Sequence, residues 1–294
     1  MTEPGSINAI GFIGLGNMGA PMTERLVAAG YSVQAYDVVP EARVHAVEAG
    51  ASEATDLAGA VRGAELVILM LPNSQIVKSV VEDPAFLEAI APGTLVVDMS
   101  SSEPMSTRAL AAELKKQSVD MVDAPVSGGV KGARNGALTI MVGGSDDDVA
   151  RAIPVLEHLG RPTHAGPIAS GHAVKALNNL LSATHLWITS EAMIAGKRFG
   201  LDPEVMLAIF NGSSGRSGST ENKWPNFILP EKYDSGFGLR LMLKDMKIAV
   251  QLAEQSGAPT QLGEDAVALW QQASDGLEPG ADHTEIARWL AERK

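Results

Sequence analysis

Three glycines, Gly14, Gly16 and Gly19, stand in the G-x-G-x-x-G spacing within the segment GFIGLGNMGAPM. Such a run suits a pyrophosphate. The first glycine permits a tight turn, the second lets backbone approach the anion, and the third allows close helix–strand packing. Leu15, Asn17 and Met18 complete the loop, and the helix it opens offers N–H groups to phosphate oxygens. A second pair of chemically useful residues, Lys175 and Asn179, lies four positions apart, which places both on one face of a helix. Their neighbours Val174, Ala176, Leu177, Leu180 and Leu181 are apolar, and lysine is rarely fully buried without a partner. On the residues alone two readings stand: an amine placed for proton transfer, or a lysine snorkelling out of a half-exposed helix. The six histidines show no HxH or HxxxH spacing and there is no cysteine, so no metal constellation and no Ser–His–Asp arrangement is expected. His172, one turn before Lys175, either lines the site or, as is commoner for a histidine at a helix start, is solvated.

The elements that must position these residues alternate in type. Ala9–Ile13, Ser32–Tyr36, Leu66–Leu71, Thr94–Val97, Met121–Ala124 and Thr139–Val142 are short apolar runs bounded by Gly, Pro or Asp, and read as strands. Pro21–Ala29, Gln75–Val81 and Met105–Lys116 read as helices between them. After Gly166 the pattern becomes helical: a long segment from Gly171 to Phe199, then Pro203–Phe210, Leu239–Gln255, Leu262–Ala273 and His283–Glu292, with a short strand at Thr163–Ala165 the one candidate beyond Val142. The expected fold class is therefore α/β. An N-terminal Rossmann-type doubly wound domain (residues 1–166) is followed by an all-α C-terminal domain (167–294), with a long interdomain helix.

In such a sheet, ligands bind beyond the carboxyl ends of the strands. The glycine loop follows one apolar strand, and the next strand ends in Asp37. A carboxylate there accepts from the adenosine ribose hydroxyls and repels a 2′-phosphate, which favours NAD over NADP; the alternative is a cap for the helix at Pro40. Leu71, Pro72 and Asn73 end the third strand beside the adenosine half. Ser101 follows the fourth, either facing the nicotinamide ribose or serving as a helix cap.

With 23 Lys+Arg against 35 Asp+Glu the formal charge is −12, and no basic run offsets it, which excludes a nucleic-acid surface. The apolar stretch from Leu177 to Ala195 is interrupted by Asn178, Asn179, His185 and Glu191, so no membrane span is expected. The start lacks the pattern of a secretory signal, and a cytoplasmic location follows as an expectation.

Four segments in order resemble the motifs of the β-hydroxyacid dehydrogenases, of the 3-hydroxyisobutyrate dehydrogenase and tartronate semialdehyde reductase kind. They are GFIGLGNMGAPM, DAPVSGGVKGARNGALTIMVGG (from Asp123), GHAVKALNN (from Gly171) and LMLKDMKIA (from Leu241). The resemblance covers nearly the whole chain. It implies that Lys175 is the general acid/base and that Asn179 orients the substrate. Ser127, Gly128 and Gly129 would cradle the substrate carboxylate, although the same residues also suit a simple turn. Lys244 would approach cofactor and substrate, while Asp245, on another helix face, would be structural. The loop GSSGRSGSTENKW, with Arg216 and Trp224, would adapt to the substrate tail or merely connect.

The implied reaction is NAD-dependent oxidation of a short 3-hydroxy carboxylate to its semialdehyde. The candidates are 3-hydroxyisobutyrate, 3-hydroxypropionate, glycerate, serine, threonate and sulfonated analogues. A homodimer or homotetramer is implied as well; from the apolar content of the helical domain, Trp187, Met193 and Ile194 are interface candidates that core packing explains equally well. An imine reductase or an inactive dinucleotide-binding module is the competing reading, and the retention of Lys175 and Asn179 argues against both. Two departures are visible. Ala169-Ser170-Gly171 stands where relatives often carry G-x-G. In addition, Asn178 replaces the histidine of decarboxylating 6-phosphogluconate dehydrogenases, whose catalytic segment GHAVK also resembles.

Overall fold

The computed structural model describes residues 7–293. Its nine strands are β1 (Ala9–Ile13), β2 (Ser32–Tyr36), β3 (Ser52–Glu53), β4 (Leu66–Leu69), β5 (Leu95–Asp98), β6 (Asp120–Asp123), β7 (Val126–Ser127), β8 (Leu138–Gly143) and β9 (Gly160–Gly166). They form one sheet in the order β3-β2-β1-β4-β5-β6-β8-β7, with β9 pairing β8. Every pair from β3 to β6 is parallel, and the chain reverses its direction of travel across the sheet at β1, between β2 and β4. Beyond β6 the sheet becomes mixed, because β8 runs antiparallel to both β6 and β7.

The strand sequences explain this layering. Leu66, Val67, Ile68 and Leu69 are all buried, as are Leu95, Val96 and Val97, so β4 and β5 are covered on both faces. Unbroken aliphatic runs of this kind belong in the centre of a parallel sheet flanked by helices. Truncating one such leucine to alanine removes about 2–5 kcal/mol. β3 and β7, two residues each, are too short to show a period in sequence. The helix Asp146–Leu156 is additional to those expected: Ser145 caps it by accepting from Asp148 N–H, and three aspartates occupy its first turn.

The chain divides into two compact units that part between Lys175 and Ala176, inside the 30-residue helix Ser170–Phe199. The second unit is helical: the remainder of that helix, then Pro203–Asn211, Leu239–Ser256, Gln261–Gly276 and Ile286–Glu292. Its core gathers Leu186, Trp187, Met193, Trp224, Met246 and Trp270. Of the two readings open for Trp187 and Met193, interface or core, both residues take the core one; Ile194 is half-buried. The stretch expected as a Gly/Ser loop is a correction. From Ser219 to Ile228 it winds into a π-helical segment pinned by the buried Trp224 and Ile228. Among the described residues no helix is long and apolar enough to cross a membrane.

Candidate functional site

The glycine loop connects β1 to the helix Gly19–Ala28. Gly14 has φ +100° and donates its N–H to Tyr36 O at 2.9 Å; a Cβ there would collide with the Met70 carbonyl. A Cβ on Gly19 would collide with the Gly14 carbonyl, so both positions are closed to side chains by backbone. Gly16 is different, since a Cβ there meets nothing within 4 Å and the residue is exposed. It opens a space that a diphosphate could fill at a helix N-terminus, and the residues present therefore fit a dinucleotide. Leu15 does not belong among the phosphate donors, because its N–H is committed to Asp37 Oδ2 at 2.7 Å.

Asp37 thus holds the glycine loop as well as ending β2. Its other oxygen accepts from Val39 N–H at 2.9 Å, and it does not cap the helix Pro40–Glu48, whose N-cap is Val39. Arg43 donates to the Asp37 carbonyl at 2.7 Å and pairs with Glu53 at 3.0 Å, so its guanidinium is already engaged.

At the next strand ends, Leu71 N–H donates to Ser100 Oγ at 2.9 Å and ties the third loop to the fourth. Asn73, expected beside the adenosine, caps the helix Ser74–Val81 by accepting from Ile76 N–H; Pro72 is exposed. The serine run does not cap the helix Pro104–Lys115, whose N-cap is Glu103. Ser100 and Ser102 are buried and bonded inward, which leaves Ser101 as the half-exposed one of the three.

The most densely bonded part of this unit was missed in sequence. His172 is not solvated but 1% exposed. Its Nε2 lies 3.0 Å from the Ser100 carbonyl, an acceptor, so that nitrogen carries a proton, while Nδ1 is 2.8 Å from Thr107 Oγ1. The ring stands 3.7 Å from both Asp98 Oδ2 and Asp123 Oδ2, two carboxylates in register at the ends of β5 and β6. Asp123 also accepts from Ala169 N–H at 2.6 Å and His172 N–H at 2.7 Å. Burial pushes its carboxyl pKa up, against the opposing pull of His172 and those N–H groups.

This cluster fastens the first turn of the long helix to the sheet, one turn before Lys175. A Cβ on Gly171 would collide with the Met141 carbonyl. Ala169 holds φ +76°, the left-handed conformation that glycine adopts freely. The departure from G-x-G therefore preserves the glycine backbone geometry.

Lys175 is 6% exposed and Asn179 5% exposed, one helical turn apart. In the helical unit Asn179 Nδ2 donates to Asp245 Oδ2 at 2.6 Å, and Lys244 Nζ lies 3.0 Å from Asp245 Oδ1. Asp245, expected to point elsewhere, is thus the residue that brings Asn179 and Lys244 together. Adjacent residues leave a helix in different directions, but the long lysine stem folds back far enough to reach its neighbour. A carboxylate only accepts hydrogen bonds, so Asp245 fixes the amide of Asn179 with Nδ2 toward it and Oδ1 on the other side.

In the sheet unit, Ser127 ends β7 half-buried, and Gly128 (φ +126°) and Gly129 (φ +60°) open the helix Gly129–Asn135. Gly128, at φ +126°, holds a backbone conformation that L side chains rarely adopt.

The family description "NAD binding domain of 6-phosphogluconate dehydrogenase" matches residues 9–181, and "NAD-binding of NADP-dependent 3-hydroxyisobutyrate dehydrogenase" matches residues 169–290. An NAD-dependent L-serine dehydrogenase of Pseudomonas aeruginosa is 42% identical over 270 residues, covering 89% of this chain and 91% of its own. The chain belongs to the β-hydroxyacid dehydrogenase family. Within it, a 2-(hydroxymethyl)glutarate dehydrogenase of Eubacterium barkeri is 41% identical over 253 residues, covering 85% of this chain and 84% of its own. The structure of a Mycobacterium tuberculosis 3-hydroxyisobutyrate dehydrogenase with L-serine superimposes with a TM-score of 0.91 at 32% identity, covering 97% and 99% of the two chains. Membership in this family makes the chain an NAD(P)-binding oxidoreductase of the CH–OH class.

Proposed function

We propose that this β-hydroxyacid dehydrogenase oxidises a short 3-hydroxy carboxylate to its semialdehyde with NAD, Lys175 acting as general base. The observation that carries the reading is the pair Lys175 and Asn179, both nearly buried on successive turns of one helix. A nicotinamide bound here would supply the acceptor for the hydride of the carbinol carbon. Neutral Lys175 takes the proton from the substrate hydroxyl, and in the reverse direction its ammonium returns it to the developing alkoxide. A positioned base of this kind contributes roughly 10²–10⁴-fold. Asn179 Oδ1, oriented by Asp245, accepts from the hydroxyl and holds it toward the amine. Ser127, Gly128 and Gly129 receive the substrate carboxylate on N–H and hydroxyl donors.

For the dinucleotide, Gly14, Gly16, Asn17, Met18 and Gly19 serve the pyrophosphate, while Leu71, Pro72, Asn73, Ser101 and Lys244 line the remaining length. Asp37 supports NAD over NADP: it leaves a negative charge at the end of β2, and Arg43 is engaged by Glu53. A homo-oligomer fits the exposed stripe Val174, Leu177, Leu181 and Ile188 on one face of the long helix.

The test is steady-state oxidation of a hydroxy-acid panel with NAD and with NADP, by the wild type and Lys175→Ala. The expected loss in kcat is at least 10³-fold, with NAD preferred. Near-wild-type turnover by Lys175→Ala removes the amine from the mechanism. A large preference for NADP removes the role given to Asp37.

A further inference from the structure

The long helix begins at Ser170, which puts Ala169 in the capping position, and alanine has no side-chain acceptor for the first N–H groups. The acceptor comes from the sheet instead. Asp123, the last residue of β6, takes Ala169 N–H on Oδ1 and His172 N–H on Oδ2. Two glycines make room for that carboxylate. A Cβ on Gly143 would meet Asp123 Oδ1, and one on Gly171 would meet Asp123 Oδ2. His172 is thus fixed by its main chain to the end of β6.

Its side chain is fixed elsewhere. Nε2 donates to the carbonyl of Ser100, in the loop after β5, at 3.0 Å. Nδ1 meets Oγ1 of Thr107, in the helix Pro104–Lys115, at 2.8 Å. The loop itself is folded by Asp98, which accepts from Ser100 N–H at 2.9 Å and from Ser102 Oγ at 2.8 Å. Ser100 Oγ in turn accepts from Leu71 N–H, in the loop after β4. Bonded contacts therefore run without a break from Leu71 through Ser100 and His172 to the helix turn that carries Lys175. All of these residues belong to the first compact unit.

The two ends of this chain of contacts have different tasks in the proposed oxidation. The loops after β4 and β5 lie at the carboxyl ends of strands close to the reversal of strand order, which is where a dinucleotide lies in a sheet of this kind. Lys175, one turn beyond His172, takes the proton. Hydride and proton leave neighbouring atoms of one alcohol, so the hydride acceptor and the base must stand at a fixed separation. A displacement of about 1 Å costs roughly 10²-fold in rate. We propose that His172 is a positioning residue for Lys175: bonded by its main chain to β6 and by its ring to the loop after β5, it sets where the base stands relative to the strand ends that would seat the nicotinamide. This rests on the reading of Lys175 as general base. Being 1% exposed, His172 acts through Lys175 and not on the substrate.

The test is a double-mutant cycle. His172→Gln keeps the main-chain bond to Asp123 and removes the ring; it is made in the wild type and in Lys175→Ala. In the wild type, kcat for the best hydroxy acid of the panel is expected to fall about 30-fold. NADH binding without substrate, followed by fluorescence, is expected to change by less than about 3-fold. In Lys175→Ala the same substitution is expected to change the residual rate by less than about 3-fold, because the group it acts through is gone. A purely structural role lowers both backgrounds alike, and that outcome overturns the proposal. So does a His172→Gln enzyme with near-wild-type kcat, or a loss of NADH affinity that matches the loss of kcat. If His172→Gln does not fold, the near-isosteric Thr107→Val, which takes away one of the ring's two partners, replaces it in the cycle. A kcat about 5-fold lower with NADH binding intact then upholds the proposal, and any other result overturns it. If Lys175→Ala keeps wild-type turnover, or the wild type oxidises no hydroxy acid, it is the base reading that fails. Amide hydrogen exchange without cofactor then decides about His172. Exchange about tenfold faster in the variant at Ala173, Val174 and Lys175, with β4 unchanged, keeps it as the residue that places this turn; equal exchange removes that role.

Discussion

The two units surround a basic side chain in different ways, His172 being buried and Lys223 half-buried. In the sheet unit, His172 is met by the Ser100 carbonyl and the Thr107 hydroxyl and stands between the carboxylates of Asp98 and Asp123. In the helical unit, Lys223 has the two oxygens of Ser182 as hydrogen-bond partners and the more distant charge of Asp282. A group whose partners are all supplied by the fold holds the fold together. A group whose desolvation the fold only partly offsets has its charged form disfavoured. The first arrangement registers the helix that carries Lys175 on the strand ends.

The contrast is open to direct attack, beginning where the expected effect is largest. Replacing His172 by Phe keeps the volume but strands two buried carboxylates, which should destabilise the sheet unit by about 3 kcal/mol in urea unfolding. A loss below 1 kcal/mol would show that the cluster is not a clamp. Next comes Asp245→Asn, which lets the Asn179 amide turn over. It should lower kcat/KM by roughly 10–100-fold, as expected when a supporting partner is lost, with stability little changed; an unaffected kcat/KM would detach Asp245 from the site.

Lys223→Met should act in the opposite direction from the histidine variant and stabilise the protein at pH 7 by ~1–2 kcal/mol. The sign follows from linkage: the folded-state pKa, about 8, lies below the ordinary lysine value, so folding disfavours the charged form. That penalty is complete below pH 8 and is relieved as pH rises toward the unfolded-state value. The advantage of Met in unfolding experiments should therefore shrink between pH 8 and about pH 10. A methionine variant less stable at pH 7 would mean that the lysine is structurally paired after all. The smallest effect belongs to Ala169→Gly. The left-handed backbone at Ala169 carries about 1 kcal/mol of strain, partly offset by the unfolded-state entropy of glycine, so a gain of ~0.5 kcal/mol and a Tm rise of a degree or two are expected. No gain would mean that the loop relaxes by other means.

Much of this molecule was legible in its sequence because the relevant signals are local. Leu66–Leu69 and Leu95–Val97 read as strands from aliphatic runs alone, and the glycine spacing at 14, 16 and 19 predicted a loop that backbone contacts now explain. The shortest strands, Ser52–Glu53 and Val126–Ser127, left no period to detect. The π-helical turn at Ser219–Ile228 was hidden by Gly and Ser, which suggest loop, while Trp224 and Ile228 supply the burial that orders it.

The sequence by itself determined the order of elements, the dinucleotide loop and the Lys175–Asn179 spacing, since each depends on residues within one or two turns of each other. Only the tertiary structure decided the partners. His172 met Asp98 and Asp123 because β5 and β6 pair in register, and Asn179 met Asp245 because two helices far apart in sequence pack together. Lys223 reached Ser182 across 41 positions of chain. Hydrogen bonds and charges act over a few ångströms of space, and sequence separation carries no information about that distance until the core has closed.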